Sequence, residues 1–213
     1  MSDSEPSWIP ASWERVLVRI LQTGLLGLAV YGLVTVHLGM AMNGALTLAV
    51  TLLPAVVRRE YGYHMDAGLV LWITLAVVLH VVGSLGLYVE FSWYDEITHA
   101  LSASVVAGLG YTAFRSFELH SEEIDVPPAF RGLFIVVFVL AFGVVWEVFE
   151  FAAGGVSTLL GVDSPVAVYG IDDIVTDFIY NAVGAVVVAL WGTGRFDGLV
   201  GLVTGRLGRR ESE

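Results

Sequence analysis

The chain contains no cysteine and no lysine among its 213 residues. Without thiols there is no disulfide framework, no thiolate metal centre and no cysteine nucleophile. Without lysine there is no Schiff-base chemistry and no P-loop cation, and no Gly-x-Ser-x-Gly elbow is present either. Cations are scarce: ten basic residues, all arginine, stand against 21 acids, for a net charge of -11. That balance argues against nucleic-acid partners and suits an acidic surface kept solvated, as in a high-salt proteome. Charged residues make up only 15% of the chain, while hydrophobic ones reach 56% and the mean hydropathy is +0.78. A soluble domain is rarely so apolar, so the lipid bilayer is the expected partner. No basic n-region precedes the first apolar run, and a removable signal peptide is not expected.

What is present is a series of apolar runs, each near the roughly 20 residues that cross about 30 Å of hydrocarbon. Six spans are predicted, near 16–38, 42–57, 67–89, 95–116, 130–152 and 173–192, followed by a tail over 194–213. The expected fold is an all-α, polytopic membrane helix bundle forming a single domain over 1–213. Arg15 and Arg19 open the first span, and Arg58 and Arg59 follow the second. Arg115 and Arg131 flank the connection between the fourth and fifth, and Arg195, Arg206, Arg209 and Arg210 follow the sixth. The other three connections hold no arginine. The positive-inside rule therefore puts both termini in the cytoplasm of a cell that places this chain in its inner (cytoplasmic) membrane. Trp93, Tyr94, Trp146, Tyr169 and Tyr180 fall near the outer boundary, where amphipathic rings favour the headgroup region. The acidic run through Glu118, Glu122, Glu123 and Asp125 reads as a solvated linker ended by Pro127 and Pro128. The glycine-rich tail reads as an interfacial cytoplasmic anchor.

The chemistry gathers at the outer ends of the last three spans. Asp95 and His99 are one helical turn apart on one face. Glu147 and Glu150 share a face of the next helix at i and i+3. Asp173, Asp177 and Asn181 descend the last helix at i, i+4 and i+8. Below them the same faces turn small, at Ala103, Ala107, Gly143, Gly184 and Ala185, which lets membrane helices approach closely. His80, Ser84 and Tyr88 form a further polar stripe on the third span. Carboxylates at helix N-termini complement the macrodipole, and Glu96 and Asp172 are read that way. Glu147, Glu150 and Asp177 do not fit that reading.

Five carboxylates at one depth with no nearby arginine cannot all stay ionised unless cations neutralise them. A divalent metal ion does so directly; oxygen-rich ligation with imidazole suits Zn, Mn, Fe or Mg. The expected ligands are His99, Glu147, Asp173 and Asp177. Asp95 is expected to orient His99, Glu150 to serve as base or ligand, and His80 and Asn181 to support from behind. Three functions are compatible: a metal-dependent hydrolase of a lipid or other small interfacial molecule, a proton- or cation-coupled transporter, and a structural protein tied together by its metal.

The motifs Tyr94-Asp95-Glu96-Ile97-Thr98-His99, Trp146-Glu147-Val148-Phe149-Glu150 and Asp173-Ile174-Val175-Thr176-Asp177, with Asn181 and Gly184 after them, form an ordered set. With Leu79-His80, Gly83, Gly86 and Tyr88, that set resembles the YjdF-like family of small bacterial and archaeal inner-membrane proteins. The resemblance covers the third to sixth spans. It implies a membrane helix bundle and the importance of Asp95, His99, Glu147, Glu150, Asp173 and Asp177, and it implies no particular reaction.

Overall fold

A computed structural model of the chain describes residues 10–121, 123–162, 164 and 170–210. Glu122 of the acidic run and Tyr169 of the aromatic set lie outside the described residues. Among the described residues every regular element is helical, and six helices are long and apolar enough to cross a membrane. The chain is a multi-pass helical membrane protein. Its helices are α1 (Ala11–Val34), α2 (Leu38–Tyr61), α3 (Ala67–Val82), α4 (Ser92–His120), α5 (Pro128–Leu160), α6 (Ile171–Val187) and α7 (Asp197–Arg210).

Contacts divide the chain into two compact units, the first formed by Met1–Leu85 with Gly155–Val166, the second by Gly86–Gly154 with Ala167–Glu213. In the first unit, α1 stops at Val34, short of the expected 38, because Val36 takes a left-handed backbone (φ 63) and the chain reverses within three residues. His37 closes that turn, with Nδ1 2.9 Å from Thr35 Oγ1. The helices meet through missing side chains: a Cβ on Gly32 would stand 2.6 Å from the Ala41 nitrogen. Leu25, Val78 and Val81 form the buried core, and Asp66 caps α3 by accepting from the Leu69 N–H at 3.2 Å.

In the second unit α4 and α6 run parallel. His99 faces Asp177, and further along Tyr111 donates to Asp197 at 3.1 Å and the Ser116 hydroxyl donates to the Val200 carbonyl at 3.3 Å. Gly184 sets the spacing, since a Cβ there would run into the carbonyl oxygen of Ala100. The α5 helix runs antiparallel to α4, with the Phe114 and Phe134 rings 4.4 Å apart. It continues to Leu160 rather than ending near 152, so Glu147 and Glu150 sit well inside a helix and not at its C-terminus.

One expectation about the other end of this unit is corrected. Glu118 is not part of a solvated linker. It lies in the last turn of α4, only 8% exposed, and joins Arg115 Nη1 at 2.8 Å and Arg131 Nη2 and Nε at 2.8 and 3.2 Å. The run of acids hid it because the sequence alone does not show that Arg131 returns to the same level one helix later. Within the tail, residues 197–210 form a helix in spite of their glycines. Phe196, Leu199 and Val200 are buried at its start, and the Phe196 ring lies over the bare face of Gly108. Propensity is overridden here by packing against α4.

Asp95 and Arg115 are 20 residues apart on α4, roughly 30 Å at 1.5 Å per residue. The carboxylate pole and the arginine pole of this unit are thus separated by one hydrocarbon thickness. Arg131→Ala should remove the bidentate partner of a buried carboxylate and cost about 2 kcal/mol, the range for hydrogen bonds to charged groups. Denaturation in detergent checks this. The Arg115→Ala, Arg131→Ala double variant should lose more than the sum of the two single changes, because only then is Glu118 left wholly unpaired.

Candidate metal centre

The first turn of α4 begins after extended Phe91, and Asp95 and His99 follow at i and i+4, both turned toward α6. On α6, which starts after Gly170 (φ 126), Asp177 sits two turns from the N-terminus, where Gly184 has already brought the two helices together. His99 Nε2 lies 3.5 Å from Asp95 Oδ1 and 3.5 Å from Asp177 Oδ1. One ligand atom from each of these three side chains lies within 4.8 Å of the other two. Asp177 is 3% exposed and His99 6%. The Asp95 and Asp177 carboxyls are within hydrogen-bonding reach of each other. Two carboxyls so placed cannot both be bare anions; a proton or a cation must join them.

Asp173, one turn before Asp177, acts electrostatically on Asp95, His99, Glu147, Glu150 and Asp177. Glu147 and Glu150 face the same group from α5. Both carboxylate oxygens of Glu147 are buried with no hydrogen-bond partner among the described residues. A buried charged group in that condition normally has a counter-ion or a bound proton. Asn181, one turn below Asp177, hydrogen-bonds His99 and packs where Gly143 leaves room, 3.2 Å from the position of a Cβ there. That contact holds the imidazole plane, as the outer partners of metal-binding histidines do. The arginine ion pairs of this unit, Arg115 and Arg131 with Glu118, lie at its other end.

The structure therefore brings Asp95, His99, Glu147, Glu150, Asp173, Asp177 and Asn181 to one end of one unit. His80 lies in the other unit, half-buried on α3. The stripe it was expected to form with Ser84 and Tyr88 is broken. A kink within Gly83–Leu87, where Gly86 takes a non-helical backbone (φ 131, ψ -15), removes the i+4 register. Ser84 is spent on the Val81 carbonyl and on Asn43 Nδ2 at 2.9 Å. Tyr88 falls in the second unit with its hydroxyl 3.4 Å from Thr98 Oγ1. Thr98 itself, wholly buried beside His99, carries no spacing signal in the sequence. Glu96 and Asp172 stay apart from the cluster's centre: Glu96 hydrogen-bonds Tyr180, and Asp172 is exposed in the first turn of α6.

A comparison with protein families matches residues 16–198 to one described as a predicted membrane protein, DUF2238. The chain belongs to that family. It is the same family as the YjdF-like proteins that the motifs resemble, and its match takes in every residue of the cluster. Comparisons with curated proteins and with solved structures gave no match.

Proposed function

We propose that Asp95, His99 and Asp177 hold a divalent metal ion at the extracytoplasmic face of the cell's inner membrane. The ion activates water for hydrolysis of an amphipathic molecule drawn from the bilayer. The observation that carries the metal is the donor triangle: an imidazole nitrogen 3.5 Å from two carboxylate oxygens. A tetrahedral ion with bonds of about 2.0 Å has edges of about 3.3 Å, whereas an octahedral one of that size has edges near 2.8 Å. Zinc suits the spacing best. Three protein ligands leave the fourth position for water, the arrangement of catalytic rather than structural zinc. Glu147, its carboxylate oxygens buried and without a hydrogen-bond partner among the described residues, is the base or an additional ligand, and Asp173 and Glu150 complete the acidic wall. With no lysine in the chain and the arginine ion pairs of this unit at its other end, the ion is the element that would stabilise developing negative charge.

Close packing beneath the cluster favours hydrolysis over transport. Ala107 and Ala185 are wholly buried and the Ala100 carbonyl abuts Gly184, and between His99 and Tyr111 α4 offers no carboxylate or imidazole, only serine hydroxyls, of which buried Ser104 donates to its own helix at the Leu101 carbonyl. A proton or cation relay needs ionisable steps. Elemental analysis of purified protein tests the reading: one equivalent of metal, zinc foremost, is expected. Chelation should lower the melting temperature in detergent, because an ion bound only to the folded state adds about 2.7 kcal/mol at one hundred times its dissociation constant. A protein that carries no metal and melts unchanged with chelator would leave the acids to protons and turn the reading toward transport. The sidedness is checked separately by a reporter fused after Arg210, expected to be active only in the cytoplasm. Activity on the outer side would invert the site.

A further inference from the structure

We infer that Tyr88 is a positioning residue for the metal ligand Asp95, acting through Thr98 and carried on a glycine pivot at Gly86. This rests on the metal reading above. The Tyr88 hydroxyl lies 3.4 Å from Thr98 Oγ1, and Thr98 Oγ1 in turn donates to the Asp95 carbonyl at 2.8 Å and stands 3.5 Å from Asp95 Oδ1. Thr98 is 0% exposed, so its hydroxyl has no water to fall back on. Tyr88 is half-buried, and its ring meets Tyr94 edge-on with centroids 5.8 Å apart. The chain phenol, hydroxyl, carboxylate thus reaches the donor triangle from outside it. Partners of this kind fix the orientation of a ligand, and their loss weakens metal affinity by about 10- to 100-fold.

What aims Tyr88 is the irregular turn before it. Over Gly83–Leu87 the helical path is broken by a kink. Within it Gly86 adopts φ 131, ψ -15, a conformation open to glycine and strained for any residue with a Cβ. Space is not the reason for the glycine, since a Cβ there would meet nothing within 4 Å. The backbone angle is. The pivot therefore decides whether the Tyr88 hydroxyl reaches Thr98.

The experiment compares zinc binding and hydrogen exchange in the wild-type protein, four single variants and two double variants. Tyr88→Phe should bind one equivalent of zinc with Kd raised about tenfold or more. Thr98→Val should behave alike, Thr98→Ser should keep native affinity, and combining Tyr88→Phe with Thr98→Val should add nothing, because both act on one path. Gly86→Ala should weaken zinc in the native background and add nothing in the Tyr88→Phe background. Hydrogen exchange over residues 92–104 of the chelated protein reads the brace without metal. It should quicken in Tyr88→Phe while exchange around 184–188 stays put. Native zinc affinity and native exchange in Tyr88→Phe would overturn the inference. If the wild-type protein binds no zinc, the metal reading fails, and the exchange measurement still decides whether the brace exists.

Discussion

Asp177→Ala should strip the purified protein of its metal, whereas Asp172→Ala should leave one equivalent in place. The two residues share a helix and a charge, and differ in where that charge points. Asp177 is almost wholly buried, 3.5 Å from His99 Nε2 and in reach of Asp95, so its loss removes one corner of the donor triangle. Losing a ligand should exceed the 10- to 100-fold that outer partners cost, which takes retained metal below a tenth of an equivalent after dialysis at micromolar protein. Asp172 is exposed in the first turn of α6, where a carboxylate complements the helix dipole, worth about 0.5 kcal/mol. Glu147→Ala is expected to follow Asp177→Ala, and Glu96→Ala, whose partner is Tyr180, to follow Asp172→Ala. Mass spectrometry of the metal in the four proteins is the measurement. Equal metal in all of them would remove the cation from this cluster.

Gly184→Ala should be the most damaging single methyl in the second unit. The new Cβ would be driven into the Ala100 carbonyl oxygen, with the Ala103 Cβ 3.1 Å away. Both neighbours are fixed: one is backbone within α4, the other the shortest of side chains, so neither rotates aside. Relief requires α4 and α6 to separate, at a cost of about 3 kcal/mol. Separation also pulls His99 from Asp177, so metal affinity should fall with stability. Gly155→Ala is the control, because nothing lies within 4 Å of the methyl it would add. Unfolding in mixed micelles, with zinc binding alongside, checks both effects. Native stability in Gly184→Ala would mean that the two helices do not touch at this residue.

Much of this arrangement is legible in the chain because charge is so sparsely placed. Asp95, His99, Glu147, Glu150, Asp173 and Asp177 stand out against apolar spans, and the small residues Ala103, Ala107, Gly143 and Gly184 tell that the faces bearing them meet. Three features are not legible, each for its own reason. The extent of α5 is hidden because Glu147 and Glu150 look like the edge of a span, while Phe151–Leu160 stay helical beyond them. The burial of Glu118 is hidden because burial depends on where Arg115 and Arg131 end up, and no local pattern encodes that. The path from Tyr88 to Thr98 is hidden because it depends on the kink at Gly86, which cancels the spacing from which His80, Ser84 and Tyr88 read as one stripe.

The parallel pairing of α4 with α6 also sets an order of events at the ribosome. Asp95 and His99 are synthesised about 80 residues ahead of Asp177, with the whole of α5 made in between. At roughly 5 to 20 residues per second, α4 waits several seconds before its partner emerges. During that time an acid and an imidazole must stay at the mouth of the insertion machinery or face lipid without their counterpart. The late arrival of Asp177 makes assembly of this half post-insertional by construction. A chain truncated after Leu160 should consequently leave α4 poorly retained in the bilayer, although every residue of α4 is present.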